Sequence, residues 1–185
     1  MMKFRWKAGI ATASFATLVG LGTYFSSPTS PQASLTAEQQ RAIKTSYRIG
    51  RYIEYLAPSI DPRIRDIYTD SIYRQSERSG IDPALIVAVI YRESSFNPVA
   101  KSSAGCVGLM QINPKAHAER VKHLSPYELY HIDNNLHVGT DILKEYMSRG
   151  GVRQGLSRYV GGSHPTYVSD VLSIYALLKL ETERR

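Results

Sequence analysis

The chain has 185 residues, 43% of them hydrophobic and 21% charged, with a net charge of +7, which is the make-up of a soluble globular domain with one core of ordinary size. Its one cysteine, Cys106, excludes an intramolecular disulfide, so stability must come from packing. The positive charge suits an acidic polymer or an anionic membrane surface, but Lys and Arg are scattered and neither a zinc-finger spacing nor an RNA-binding aromatic signature is present, so nucleic acid is not the expected partner.

Lys3, Arg5 and Lys7 precede an uncharged stretch over 8–25 that reads as an export signal or a membrane anchor. Its Gly, Thr and Ser make it a weak spanning helix. Residues 26–33 read as a flexible linker or a poor cleavage region, and the anchor is the preferred reading. No cysteine lies near its end, which argues against a lipoprotein. The expected organisation is a signal or anchor with linker over 1–33, an amphipathic helix over 34–62 and a catalytic domain over 63–185.

Thr36-Ala37-Glu38-Gln39 is a capping-box signature that starts a helix. Ile43, Tyr47, Ile49, Tyr52, Ile53 and Leu56 recur at helical intervals among Arg41, Lys44, Arg48, Arg51 and Glu54, until Pro58 stops the run. An amphipathic helix packed on the domain is expected; a membrane-surface helix is the alternative, given its basic residues and its closeness to the apolar stretch. A second helix is expected over 62–79, with Ile64, Ile67, Tyr68, Ile72 and Tyr73 on one face and Gly80 as its stop.

Asp82-Pro83 restarts the chain as N-cap and first helical residue. The run over 84–91 is apolar on every side and would equally suit a buried strand; the Asp-Pro start decides for helix. Ile86, Val89, Ile90 and Glu93 fall three and four residues apart, so Glu93 continues an inward apolar stripe, and Asn97-Pro98 ends the helix. Beyond Lys101 the chain is glycine-punctuated without clear regular structure. Asp133-Asn134-Asn135 is expected to cap a helix carrying Leu136, Val138, Ile142, Leu143 and Tyr146 as far as Gly150-Gly151. A short helix over 152–159, a turn at Gly161-Gly162 and a last helix over 165–180 follow.

A carboxyl group carried by an apolar helix to its own end, near a glycine-rich turn, is placed where burial raises its pKa and keeps it protonated. The plainer alternative for Glu93 is a salt-bridged carboxylate, partnered by Arg92 or a distant Arg. The five histidines, His117, His123, His131, His137 and His164, lack paired zinc spacing, so no metal is assigned. Ser94 and Ser95 lack a Gly-x-Ser-x-Gly elbow, and Cys106 reads as a small buried residue among glycines rather than a nucleophile. Acid catalysis on a glycosidic bond fits best, although the usual glycosidase employs two carboxyl groups and no second acid lies near Glu93 in sequence.

Glu93-Ser94-x-Phe96-Asn97-Pro98, followed by Ser102, Gly105, Gly108-Leu109-Met110-Gln111-Ile112 and Pro114, resembles the soluble lytic transglycosylase (SLT) domain family. Asn135-Leu136 with 139–143, and Tyr159-x-Gly161 with Tyr167-Val168 and Val171-Leu172, resemble its later motifs, so the resemblance covers about residues 66–180. It implies a mainly α, lysozyme-like single catalytic domain in an exported, periplasmic protein, attached to the inner membrane if the anchor is retained. It also implies cleavage of the β-1,4 bond between N-acetylmuramic acid and N-acetylglucosamine in peptidoglycan strands, leaving a 1,6-anhydro end, with Glu93 as the one acid and base. Ser94, Ser102, Met110 and Gln111 would bind substrate, and Tyr159 would hydrogen-bond near the catalytic carboxyl. Two positions depart from the family pattern: Val160 stands where Asn is usual, and Cys106 where Ala is usual. Nothing suggests a cofactor or sets the oligomeric state. The alternatives are a hydrolysing muramidase or chitinase of the same fold, with Asp133 or Asp141 positioning water, and a catalytically weak wall-binding assembly protein.

Overall fold

In the computed structural model, residues 34–161 and 164–183 are described; the signal or anchor expected over 1–33 lies outside them. Local capping chemistry sets the first three helices. Helix α1 (Ala37–Leu56) starts at a complete capping box, in which Gln39 N–H donates to Thr36 Oγ1 at 3.2 Å and Thr36 N–H to Gln39 Oε1 at 2.8 Å. Helix α2 (Pro62–Ser79) starts on Asp61, which accepts from Arg63 N–H at 2.8 Å, and stops where Gly80 turns left-handed at φ 74°. Helix α3 (Pro83–Ser94) starts on Asp82, which accepts from Ala84 N–H at 2.9 Å. Each such cap contributes about 1 kcal/mol.

Helix α3 ends two residues ahead of the expected Asn97-Pro98 boundary. Ser95 and Phe96 both take positive φ, 50° and 64°, a conformation that costs a residue with a Cβ roughly 1–2 kcal/mol. Tertiary packing holds it: the buried Phe96 ring lies against Tyr68 and Tyr91, and Tyr68 O–H donates to Phe96 C=O at 3.0 Å.

The remaining elements are α4 (Ala118–Val121), a 3₁₀ turn (Glu128–Tyr130), α5 (Ile132–Ser148), α6 (Gly151–Val160) and α7 (Tyr167–Glu183). The segment of unclear structure beyond Lys101 folds into tight turns pinned by two antiparallel bridges, Lys101 to Val107 and Val107 to Ile112. Helix α3 is the core: every residue from Ala84 to Ile90 is buried, between α1 and α2 on one flank and α7 on the other, while α5 packs on α2 and α6. A helix apolar all round needs neighbours all round, and burying each of its Leu, Ile and Val side chains contributes about 1.5–3 kcal/mol. Asp82 also receives Lys179 Nζ at 2.9 Å and Tyr175 O–H at 3.1 Å, which ties α7 to the start of α3. Burial would raise this carboxyl, but the bonds from Lys179, the Ala84 amide and Tyr175 outweigh it and hold it below its ordinary range.

Two expectations are corrected. The inner face of α2 is Tyr68, Ser71, Ile72, Gln75, Ser76 and Ser79, whereas Ile64 and Ile67 are 42% and 50% exposed. Both lie in the first two turns of α2, away from the face that meets its neighbours. Asp133-Asn134-Asn135 does not cap α5, which begins at Ile132 after His131 with no side-chain cap. Those side chains are used elsewhere: Asp133 accepts from Ser71 O–H and from Arg74, and Asn134 Nδ2 donates to Glu128 C=O. No helix among the described residues is long and apolar enough to cross a membrane.

Candidate active site

Glu93 sits one residue before the end of α3, at the bottom of a cleft of about 720 Å³ lined by the 102–117 turns, α5, α6 and the start of α7. Tyr167 O–H, buried in the first turn of α7, donates to Glu93 Oε1 at 2.5 Å. Burial raises the Glu93 carboxyl above its ordinary range, against the opposing pull of the Tyr167 hydrogen bond and the Arg92 charge. Burial and the nearby carboxylate push the Tyr167 phenol far up, so it remains a proton donor in the hydrogen bond. Arg92 bonds Asp170 at 3.1 Å and lies over the Tyr167 ring at 5.5 Å, holding the tyrosine from its other side. Among the described residues that line the cleft, Glu93 is the sole carboxylate; the other ionisable groups include Arg92, Arg158, His117 and His164.

The turn that joins the lining residues Cys106 and Gln111, and so forms the base of the cleft, is held by three helices. Asn135, fully buried in the first turn of α5, accepts from Met110 N–H at 2.8 Å and donates to Val107 C=O at 3.0 Å and Leu129 C=O at 2.9 Å. Ser94 of α3 donates to Leu109 C=O at 2.8 Å, and Tyr159 of α6 donates to Met110 C=O at 2.9 Å. Glycine is required at two approaches. A Cβ on Gly108, which has φ +77°, would overlap the Asn135 amide, and a Cβ on Gly139 would overlap the Met110 side chain.

Of the residues singled out from sequence, Glu93, Ser102, Gln111 and Tyr159 line the cleft together, as do Cys106 and Val160. Ser94 and Met110 are not among its lining residues. The Ser94 hydroxyl is spent on main-chain carbonyls, and the Met110 side chain is fully buried against Gly139. Gln111 Nε2 donates to Gly108 C=O at 3.0 Å and to Ala100 C=O at 3.3 Å, while Ser102 Oγ accepts from Cys106 N–H at 3.1 Å. The Tyr159 hydroxyl goes to the floor of the cleft, and the direct bond to Glu93 comes from Tyr167. Tyr167 is 74 positions from Glu93 in the chain, and no spacing rule connects residues that far apart. The same holds for Asn135, which the sequence offered only as part of a helix-capping triplet and of a family motif. Asp133 and Asp141 lie outside the lining, Asp133 with Arg74 at 2.6 Å and Asp141 with Arg78 at 2.7 Å. No group of three metal-ligating side chains occurs among the described residues.

Known proteins share both sequence and shape with this arrangement. The chain is 36% identical over 100 residues to membrane-bound lytic murein transglycosylase C of Edwardsiella ictaluri, covering 49% of this chain and 28% of that protein. It is 33% identical over 96 residues to a transglycosylase of Enterobacteria phage PRD1, covering 51% and 35%. To membrane-bound lytic murein transglycosylase E of Buchnera aphidicola it is 35% identical over 83 residues, covering 41% and 38%. The match thus spans roughly a third of these relatives' own lengths. The crystal structure of an inactive mutant of lytic transglycosylase Slt from Pseudomonas aeruginosa superposes with a TM-score of 0.56 at 18% identity, over 80% of this chain and 31% of that one, and shows a common fold. Residues 70–166, more than half of the chain and the part that carries Glu93, Asn135 and Tyr159, match the model of the transglycosylase SLT domain, and the chain belongs to that family.

Proposed function

We propose that this protein is a peptidoglycan lytic transglycosylase in which Glu93 serves as acid and then as base on one glycosidic bond. The observation that carries this reading is a half-buried carboxyl of raised pKa in a cleft with no second carboxylate among its described lining residues. Glu93 donates its proton to the oxygen that links N-acetylmuramic acid to N-acetylglucosamine, and the C1–O bond breaks as the substrate's own N-acetyl group stabilises the cationic sugar. The Glu93 carboxylate then takes the proton of the muramic 6-hydroxyl, whose oxygen closes on C1 to give the 1,6-anhydro ring. No water is consumed, and Glu93 ends protonated as it began.

The two opposing influences on Glu93 suit both halves of this cycle. Burial favours the acid that begins it, while the Tyr167 hydrogen bond and Arg92 limit the cost of the carboxylate in between. Ser102 and Gln111 would meet the sugar at the cleft wall. Ser94, Met110 and Tyr159 would act on the floor beneath, and Val160 would give an apolar contact where the family usually offers an amide. Export to the periplasm, with attachment to the inner membrane through residues 1–33, fits the uncharged stretch at 8–25 and relatives named membrane-bound. The hydrolysing alternative has little support, because Asp133 and Asp141 are engaged by arginines of α2 away from the cleft.

Digesting peptidoglycan with the full chain and resolving the products by mass spectrometry tests the reading. Anhydro ends are expected. Reducing ends alone would replace the lytic mechanism with hydrolysis, and strand binding without turnover would leave a wall-binding protein.

A further inference from the structure

The outer face of α1 combines exposed aliphatic and tyrosine side chains with cations. Ile43, Tyr47, Arg51 and Tyr55 stand four residues apart along it, with Lys44 and Arg48 beside them, away from the buried Ile49 and Ile53. Ile43 is 56% exposed and Tyr47 67%. Together with Tyr52 and with Glu181 near the end of α7, the Lys44 to Tyr55 part of this face encloses a groove of about 300 Å³. Leu177, one turn before Glu181 on α7, is also exposed.

Three cations, Lys44, Arg48 and Arg51, and one carboxylate, Glu181, line this groove. Of its three cations, only Arg51 is ion-paired among the described residues, with Glu54 at 2.5 Å. Arg48 lies over the Tyr52 ring at 5.9 Å and donates one Nη to its hydroxyl, while its buried Nε finds no hydrogen-bond partner among the described residues. Tyrosines and aliphatic side chains standing beside Lys and Arg on one helical face form the side-chain set that settles at a bilayer–water boundary: apolar bodies enter the headgroup layer and cations meet lipid phosphate.

Chain length points to the same occupant. Only 11 residues separate the uncharged stretch over 8–25 from the first residue of α1, a span of at most about 40 Å when fully extended. Any embedding of that stretch therefore keeps α1 within reach of the lipid headgroups, at a high effective concentration. Neither α1 nor α2 contributes a residue to the Glu93 cleft, so occupying this face leaves the cleft free.

We infer that the outer face of α1, with the adjoining end of α7, docks on an anionic phospholipid surface and holds the catalytic unit against the membrane. The inference is independent of the glycosidic chemistry, and its test reads no activity. The full chain, with Cys106→Ser to clear the background, carries a nitroxide at Tyr47→Cys or, as control, at the exposed Tyr127→Cys. It is reconstituted into phosphatidylcholine vesicles with or without phosphatidylglycerol, and label collisions with oxygen are compared with those with a water-soluble nickel chelate.

At position 47 the oxygen-to-nickel ratio is expected to rise toward lipid values only with phosphatidylglycerol, and position 127 is expected to remain aqueous throughout. Lys44→Gln and Arg48→Gln should each lower the docked-to-free ratio about fivefold, since a cation near an anionic surface contributes about that factor. Should Arg48→Gln fail to fold by circular dichroism, Lys44→Gln and a titration to about 1 M salt, where screening reaches about 3 Å, carry the test. Position 47 remaining aqueous on phosphatidylglycerol vesicles would overturn the inference. So would equal protection on both lipids, or protection that rises with protein concentration in detergent, which would mean that a second copy covers the face.

Discussion

Around Glu93, polar side chains from three helices end on the main chain: Ser94, Tyr159 and Asn135 all bond to groups of residues 107–110. Along the outer faces of α1 and α2, by contrast, polar side chains meet one another at the surface, as in Arg41 with Glu77 at 3.3 Å and Arg65 with Glu54 at 3.0 Å. Exposed pairs of the second kind contribute about 0–1 kcal/mol. A buried main-chain group stripped of its partner costs about 1–3 kcal/mol. The difference teaches where precision resides in this molecule. The cleft floor cannot move without losing several buried bonds together, whereas the α1 side can exchange one ion pair for another, or for lipid phosphate, with little effect on the fold.

The sharpest way to separate the two regions is Glu93→Gln. Turnover of peptidoglycan should fall by roughly 10²–10⁴-fold, the usual contribution of a general acid, while the fold persists. Stability should move the opposite way. The folded carboxyl lies above its ordinary value of 4.5 because of burial, so between the unfolded and folded values the native state holds a proton that the unfolded chain has released. Native stability therefore declines as pH rises through that window and remains lowered above it. Denaturant melts should find Glu93→Gln more stable than wild type at neutral pH, with the advantage gone below pH 4.5. An unchanged turnover would remove Glu93 from the mechanism.

Next in size is Asn135→Ala. It strips partners from Met110 N–H and Leu129 C=O and leaves Val107 C=O with the Ile112 amide alone, in a fully buried place, and should cost about 2 kcal/mol or more in chemical denaturation, with a displaced turn and reduced kcat. A loss under about 1 kcal/mol would show that the floor is less dependent on this residue than its bonds imply.

Tyr167→Phe should act more selectively. Its O–H favours the Glu93 carboxylate, so its removal raises the carboxyl further and moves the alkaline fall of kcat/KM to higher pH. The maximal rate should drop about tenfold or more, because a hydrogen bond to a charged acceptor is worth about 1.5–3 kcal/mol. A pH profile that stayed in place while the rate fell would make Tyr167 a packing residue only. Smallest of all should be Ile64→Ser on exposed α2, within about 0.5 kcal/mol of wild type. Ile72→Ala, one side chain of the same helix at 0% exposure, should cost about 2–5 kcal/mol.

How far each feature was legible follows from the range of the interaction behind it. Thr36 with Gln39, and Asp82 with the amide of Ala84, act over two or three residues, and those helix starts were readable as written. The stripe Ile86, Val89, Ile90 and Glu93 was likewise readable, because helical periodicity alone places the carboxyl on the buried side. Periodicity misled at Ile64 and Ile67, where apolar residues recur at the right interval but no neighbouring element covers them. It also missed the early end of α3, where Phe96 holds a left-handed backbone because Tyr68 and Tyr91 grip its ring.

The amino-acid sequence by itself determined the starts of α1, α2 and α3, the apolar core helix and the identity of the carboxylate it delivers, because capping and periodicity are local and repeat within a few residues. Tertiary structure alone decided the company Glu93 keeps. Tyr167, not Tyr159, donates to it, while Asn135, Ser94 and Tyr159 all bond to the turn that carries Leu109 and Met110. Those contacts join residues dozens of positions apart, and only the packing of α5, α6 and α7 around α3 brings their atoms within hydrogen-bond reach.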